Sequence, residues 1–288
     1  MPVVQACCLT IGLVFANQAA AQWSFDSAAS VGYDNNLGNA RAADRVGDRV
    51  LGASIAVTQS EFGDDGASTS WGGHVAGERF AEYGGLDNLA LAANVAYRRK
   101  LGLGPLAPWW RASWSSSAVN YRDHARNGWL HQAEFGAGKR FDERYNLGLS
   151  FRLEKRTAAS PQVPPAGLSA DAFSQLSHSL GATAEYAADQ NVVLSIGGEL
   201  RHGDVVSTSR RFRQVFLFSK AIAPDPALGS DMFAYRLTGN SLSVKFGAAL
   251  FLSPCSCVHA GLHRVLTHGE GDNDYAKNKF AVSWLGSF

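Results

Sequence analysis

Residues 145–154 read YNLGLSFRLE, and apolar side chains occupy every second position of this stretch. A period of two is the period of a β-strand, whose successive side chains point to opposite faces. Ten residues is also the length of a tilted strand that crosses a bilayer. The stretch therefore predicts a membrane-crossing strand with one apolar face and one polar face.

The same alternation recurs along the rest of the chain. Clear runs cover residues 23–34, 51–57, 89–97, 176–186 and 192–201. Weaker runs cover residues 70–82, 109–121, 129–141, 233–252, 257–267 and 279–288. Together with 145–154 they predict about twelve strands, and ten or fourteen remain open because 233–252 and 102–121 can be divided differently. The phase of the run 233–252 changes near Gly239 and Asn240, which predicts a bulge there or an extension beyond the membrane.

The connections between these runs alternate between short and long. Short connections follow even-numbered strands at residues 142–144, 188–190 and 253–256, whereas those at 61–69 and 102–108 are longer but rich in Gly, Asp or Pro. Long connections follow odd-numbered strands at residues 35–49, 156–173, 203–231 and 268–278, while those at 83–88 and 122–128 are modest. Short periplasmic turns and long extracellular loops are typical of outer-membrane barrels. We therefore expect an all-β fold, a closed antiparallel transmembrane β-barrel formed by residues 22–288 as one domain.

Aromatic residues favour a membrane barrel over a soluble one, because a membrane barrel carries aromatic belts at both interfaces. Six aromatic residues fall at predicted periplasmic strand ends: Trp23, Tyr97, Trp110, Tyr145, Tyr186 and Phe288. Four fall at predicted outer ends: Tyr33, Tyr121, Trp129 and Tyr235.

The N-terminal segment predicts export. Residues 3–16 read VVQACCLTIGLVFA and are followed by Ala19, Ala20 and Ala21. The apolar run is too short for a membrane-spanning helix, and the small residues after it are typical of a signal-peptidase site. We expect residues 1–21 to be a signal peptide, cleaved near Ala21.

Composition excludes several classes of protein. The 26 Lys and Arg residues against 25 Asp and Glu residues give a net charge of +1, without the basic surplus of a nucleic-acid-binding protein. A hydrophobic fraction of 46% excludes a disordered chain. Cys255 and Cys257 are compatible with a disulfide or with thiols, and a zinc site with His259 and His263 is a weaker alternative. We expect no metal and no cofactor.

The last strand carries a family resemblance. Residues 280–288 read FAVSWLGSF, with Phe280, Val282, Trp284 and Phe288 at alternate positions and the chain ending on Phe. This pattern resembles the C-terminal insertion signal of bacterial outer-membrane β-barrel proteins, from which Gly286 departs. The resemblance implies a Gram-negative outer membrane, recognition by the barrel-assembly machinery and escort by periplasmic chaperones.

The inward strand positions carry a balanced set of charges. The predicted lumen network consists of Arg98, Arg152, Glu154, Glu185, Glu199, Arg201 and Lys245. Glu78, Glu134 and Lys279 also face inward. Because buried charges must be paired, we expect Arg152 and Arg201 to bind Glu154, Glu185 and Glu199 and to narrow the outer half of the barrel.

Three functions remain open at this point. The first is a narrow or gated channel for small solutes, and the second is a barrel that presents its extracellular loops to partners. The third is a surface enzyme, for which His202, Asp204 and Ser207 have suitable residue types.

The outer-membrane phospholipase is also a barrel of twelve strands. To resemble that family, this chain would need a Ser, a His and a polar residue that orients the His on the outward face of a strand. His131 and His178 have no such Ser on their own strands. Arg210, Arg211 and Arg213 are candidates for contacts with lipopolysaccharide phosphates.

Overall fold

The structure is a computed structural model that describes residues 22–63, 65–159 and 171–288. The predicted signal peptide, residues 1–21, lies outside the described residues. No helix among the described residues is long and apolar enough to cross a membrane.

The described residues form twelve long strands, one short strand and one short helix. The long strands are β1 Gln22–Asp34, β2 Asp48–Phe62, β3 Ala67–Phe80, β4 Asn88–Lys100, β5 Trp109–Tyr121, β6 Gly128–Arg140, β7 Tyr145–Ala158, β8 Gln175–Ala187, β9 Val192–Ser209, β11 Phe233–Ser253, β12 Ser256–Gly269 and β13 Tyr275–Ser287. The short strand β10 is Ala221–Pro224, and helix α1 is Arg213–Phe218. Single 3-10 turns lie at Ala42–Asp44, Gly84–Leu86, His124–Arg126 and Asp171–Phe173.

The long strands form one closed barrel. Each pairs antiparallel with its neighbour in the chain, and β9 pairs directly with β11, so that β10 is not a barrel strand. β13 pairs antiparallel with β1, from Asp26 opposite Ser287 to Asp34 opposite Lys279, which closes the sheet. The prediction of a closed antiparallel barrel with twelve strands is confirmed, and ten and fourteen strands are excluded.

The barrel exposes its apolar face and turns its polar face inward. Ile55 and Leu149 are each 64% exposed and Leu200 is 61% exposed, whereas a soluble barrel would bury side chains of this kind. The belt at the end with the short turns includes exposed Trp23, Tyr145 and Phe288. The outward apolar surface is therefore of the type that contacts lipid.

Two residues predicted for the outer aromatic belt do not lie in it. Tyr121 is on the inward face of β5, where the Arg156 guanidinium lies 5.3 Å from its ring centroid. Tyr235 is 1% exposed in an apolar cluster above the barrel. An aromatic residue near an outer strand end can pack against a loop or point into the lumen. The prediction of the outer belt considered only how close each residue is to the strand end.

The loop pattern follows the predicted parity, with one correction. The turns at residues 101–108, 141–144, 188–191 and 254–255 lie at one end of the barrel, where β2 also ends and β3 begins. The connections 35–47 and 210–232 lie at the other end and are longer, and β7 ends and β8 begins at that same end. The connection predicted at 268–278 covers only 270–274, because β12 and β13 continue to pair as far as Thr267 and Tyr275.

The long run at 233–252 forms an extension. Strand β11 keeps a regular register with β9 through Gly239 and Asn240, so the bulge predicted there is wrong and the alternative, an extension, is correct. The irregularity lies instead between Phe251 and Ser253. The sequence phase changes because both faces of the extension are covered, with Leu237 in one apolar cluster and Ala234 in another.

Candidate transport lumen and its outer cap

Small residues line much of the inward wall. Inward positions are glycine at several points on β6 to β11, namely Gly136, Gly138, Gly148, Gly181, Gly197 and Gly247. Eight-stranded barrels are filled by their side chains and sixteen-stranded barrels enclose channels, so twelve strands lie between. At Gly138, Gly148, Gly181 and Gly247 a Cβ atom would lie less than 3.0 Å from a neighbouring side chain, so these glycines let side chains of the wall lie close to the sheet.

A chain of ion pairs runs along one side of the lumen wall, midway along the strands. The Arg152 guanidinium donates from Nε and Nη2 to Glu134 Oε2 at 2.9 and 2.8 Å. Its Nη1 lies 3.7 Å from Glu199 Oε2, and Lys245 Nζ lies 3.3 Å from the same oxygen. We call these four residues the midbarrel chain, and it links β6, β7, β9 and β11 with equal numbers of cations and carboxylates.

The midbarrel chain differs in membership from the predicted network. Arg152 and Glu199 come together, and Lys245 joins them. Glu154 instead accepts from Gln132 at 2.8 Å, and Glu185 accepts from Asn146 at 2.9 Å. These two carboxylates bind side-chain amides because Gln132 and Asn146 are their direct cross-strand neighbours.

Arg201 also lies outside the midbarrel chain. It donates to the backbone carbonyl of Asp204 at 2.9 Å, near the outer end of β9. Arg152 pairs with Glu134 and not with the predicted Glu154 or Glu185, because Glu134 lies directly opposite Arg152 on the neighbouring strand. The short turn between β6 and β7 sets this register, and it is the signal that could have identified the pair from the sequence.

A second group of charges lies toward the periplasmic mouth. Arg98 on β4 and Arg111 on β5 are direct cross-strand neighbours. No described carboxylate forms an ion pair with either guanidinium. The Arg98 guanidinium lies 4.8 Å from the Trp109 ring centroid. Arg98 was predicted to face inward, whereas Arg111 was missed because the run 109–121 has a weak alternation.

The outer mouth is covered by residues 210–232, which we call the cap. The cap contains α1 and β10 and connects β9 to β11. Val215 and Ile222 of the cap pack with Val205, Tyr235 and Leu237 on the strand extension.

The cap reaches across the whole mouth. Ala227 and Leu228 pack against Leu86, in the loop between β3 and β4. That loop lies six strands away in a barrel of twelve, on the opposite side. The cap also meets the loops at Arg41 and Gly271. An element that contacts loops on every side of the ring lies over its centre, so the cap closes the outer mouth.

A buried carboxylate fixes the cap in this position. Asp225 is fully buried and accepts from Thr208 Oγ1 at 2.6 Å. The Arg126 guanidinium, from the loop between β5 and β6, donates to both Asp225 oxygens, with Nε at 3.3 Å. Arg126 also lies 4.7 Å from the Phe173 ring centroid. A buried charge of this kind is tolerated only when paired, so Arg126 and Asp225 form a lock between the cap and the opposing loops.

The first loop contributes further contacts to the cap's base. Asn39 Nδ2 donates to the Val206 carbonyl at 3.0 Å, and Ser207 Oγ donates to the Asn39 carbonyl at 2.8 Å. The Thr208 amide donates to the Gly38 carbonyl at 2.7 Å. These three hydrogen bonds join the loop after β1 to the extension of β9.

Arg210 has two carboxylate partners within the outer loops, and Arg211 contacts the first residue of β11. Arg210 Nε lies 2.8 Å from Asp231, and Arg210 Nη1 lies 3.7 Å from Asp44. The hydrogen bond from Arg210 holds the pKa of the Asp231 carboxyl below its usual value. The Arg211 guanidinium lies 5.1 Å from the Phe233 ring centroid, and Arg213 is the first residue of α1.

The residues considered for acyl transfer have separate partners. His202 Nδ1 lies 2.8 Å from Asn240 Oδ1, while Asp204 binds Lys220 Nζ at 2.6 Å. Ser207 is buried and donates to Asn39. The structure therefore does not join His202, Asp204 and Ser207 into a nucleophile and its base.

One serine–histidine contact was missed because its members lie on different strands. Ser116 Oγ lies 3.0 Å from His131 Nδ1, on the outward face of β5 and β6. The His131 ring is stacked beside Trp114 and Trp129, with interplanar angles of 9° and 5°. No cluster of three or more His, Cys, Asp or Glu residues suited to a metal ion occurs in the described part of the chain.

The chain terminus and the cysteines lie at the periplasmic end. Phe280, Trp284 and Phe288 are exposed on the outward face, which Val282 shares by alternation. The Phe288 amide donates to the Phe25 carbonyl at 2.8 Å, which ties the last residue to β1. Cys255 is exposed in a turn and Cys257 is buried on β12, and no disulfide joins them.

No protein-family model matches the sequence, and no curated protein matches it. Solved structures do match in fold. An outer membrane channel from Pseudomonas putida F1 is similar with a TM-score of 0.57 and 10% identity, over 95% of this chain and 97% of that chain. The NanC porin has a TM-score of 0.48 and 9% identity, over 90% and 98% of the two chains. The translocator domain of the autotransporter NalP from Neisseria meningitidis has a TM-score of 0.44 and 11% identity, over 94% and 90%.

Proposed function

We propose that this protein is an outer-membrane channel for small solutes whose outer mouth is closed by the cap at rest. The observation that carries the proposal is the combination of an apolar exterior with a polar inward face in a closed barrel of twelve strands. The cap and its lock supply the means of gating.

The proposed location is the outer membrane of a Gram-negative cell, reached after cleavage near Ala21. The shared fold with an outer membrane channel supports this location. We further propose that periplasmic chaperones and the barrel-assembly machinery receive the chain through Phe280, Val282, Trp284 and Phe288. Arg210, Arg211 and Arg213 are proposed contacts for lipopolysaccharide, and the Arg210 side chain is 64% exposed.

Liposome swelling with neutral sugars tests the channel. The wild-type protein is expected to give slow swelling, because the cap covers the mouth. Replacing Arg126→Ala and Asp225→Ala together removes both charges of the lock and is expected to give faster swelling. Arg210→Ala with Asp231→Ala is the matched control, since it removes an ion pair exposed at the surface of the cap.

The outcomes separate channel from scaffold. Fast swelling confined to the lock variant supports a gated channel, and equal swelling of all three proteins contradicts gating by the cap. No swelling in any correctly folded variant contradicts transport.

Presentation of extracellular loops to a partner is the second candidate. The observation that favours it is the packing of the cap with the other loops into a single covered surface. It predicts that the lock variant loses surface recognition without gaining permeability.

A further inference from the structure

The periplasmic half of the lumen contains a pair of arginines whose arrangement is costly without a ligand. Arg98 and Arg111 lie directly opposite each other on adjacent strands. Like charges in this position are destabilising, because directly paired residues have their Cβ atoms only about 5 Å apart. No described carboxylate forms an ion pair with either one. This contrasts with the midbarrel chain, where each cation contacts a carboxylate.

The Arg98 side chain is held in place by the wall of the barrel. Its guanidinium lies 4.8 Å from the Trp109 ring centroid. Trp109 in turn lies against Gly138, where a Cβ atom would be 2.6 Å from the indole. Glycine at this point therefore lets the indole lie close to the sheet. The planar arginine is positioned by an aromatic surface that uses none of its hydrogen-bond donors.

The donors of Arg98 remain available. Its Nε is buried and has no hydrogen-bond partner among the described residues. A buried donor without a partner is rare, because it forfeits the hydrogen bonds it had in water. Lys100 on β4 and Arg140 on β6 also lie on the inward face, and they add positive charge at the periplasmic end of the lumen.

The chemistry of the pair defines its ligand. A guanidinium presents parallel N–H groups that match the two oxygens of a carboxylate or phosphate, and two adjacent guanidinium groups favour an anion between them. A cation would be repelled, and a neutral solute would leave the charges uncompensated.

We infer that Arg98 and Arg111, supported by Trp109 and Gly138, form a binding site for small carboxylate or phosphate anions near the periplasmic mouth. The inference rests on the proposed channel function and gives it a substrate class. An anion that passes the neutral midbarrel chain meets this site in the periplasmic half of the lumen.

Calorimetric titration of the refolded protein in detergent tests the site without requiring transport. Succinate and inorganic phosphate are the two probes, and they distinguish a carboxylate site from a phosphate site. The variant Arg98→Gln with Arg111→Gln is expected to weaken binding by at least about tenfold, the effect of losing one charged hydrogen bond. Arg99→Gln is the matched control, because Arg99 neighbours Arg98 in the chain but pairs with Asp65 on the outward face.

Reversal potentials in planar bilayers supply the second measurement. In a potassium chloride gradient the wild-type channel is expected to favour chloride, and the double glutamine variant is expected to shift toward potassium. Heat-modifiable migration on a gel establishes that each variant is folded.

The two proposals fail in different ways. Conductance without anion binding, and without a selectivity shift in the double variant, overturns the anion site and leaves the channel intact. Anion binding that depends on the arginines, in a protein that never conducts, overturns the channel and leaves the site. Binding of neither probe to the wild-type protein overturns the site.

Discussion

At the scale of single residues, Arg152 is the centre of the midbarrel chain. It contacts two carboxylates, on β6 and β9, whereas Arg201 contacts only a backbone carbonyl. Arg152→Ala should therefore shift ion selectivity toward cations, because Glu134 and Glu199 keep their charges. The free energy of unfolding should fall by about 1–3 kcal/mol, since a charged hydrogen-bond partner is lost.

The matched variant is Arg201→Ala, which should leave selectivity close to that of the wild type. Bilayer recordings and denaturant unfolding measure the two effects. The sequence alone predicts equal roles for these two arginines, so equal shifts from both variants would show that the midbarrel chain does not control ion passage.

The residue scale also shows what the sequence could predict. Alternation placed Arg152, Glu199 and Lys245 on the inward face, since strand period fixes the face of a side chain. It could not assign Glu154 to Gln132, because partners depend on strand register and on how far each side chain reaches. Arg111 was missed for a different reason, because the adjacent Trp109 and Trp110 and the serine run at residues 115–117 interrupt the period of two in this stretch.

At the scale of elements, β13 closes the barrel and carries the C-terminal pattern. The Phe288 side chain is 76% exposed, and its backbone pairs with Phe25. Phe288→Asp should slow insertion, because the side chain offered to the assembly machinery becomes charged while the backbone pairing is kept. Pulse-chase labelling with heat-modifiable migration measures the rate.

Phe288→Leu is the control for that experiment, and it should assemble at nearly the wild-type rate. Assembly of the aspartate variant at the wild-type rate would show that the terminal side chain is not read.

Element boundaries were predicted well where one face meets lipid and less well where loops cover the strand. β7 contains its predicted run because its outward residues from Tyr145 to Leu153 are apolar or aromatic. The extension of β11 has Ala234 and Leu237 in clusters on opposite faces, so its sequence loses the period of two. A short-range pattern cannot show that the cap and the loop after β7 will cover those faces.

At the scale of the whole molecule, the cap joins opposite sides of the barrel. A Cβ atom built at Gly85 would lie 2.9 Å from Ala227 Cβ, so small adjustments bring cysteines at these positions to disulfide distance. The test protein carries Gly85→Cys and Ala227→Cys, with Cys255→Ser and Cys257→Ser to prevent mispairing. Adding Arg126→Ala and Asp225→Ala removes the natural lock.

Oxidation of this protein should abolish conductance, and reduction should restore it to the high level of the lock variant. The cap is already joined to β9 and β11 at one side of the barrel, and the crosslink ties it to the loop between β3 and β4 on the opposite side. The outer mouth therefore cannot open while the crosslink is intact. Single-channel recording before and after a reductant measures the change, and a gel without reductant verifies the crosslink. The same protein without Ala227→Cys should conduct equally in both states. If the crosslinked protein conducts as well as the reduced one, solutes pass around the cap, and the outer mouth is not the gate.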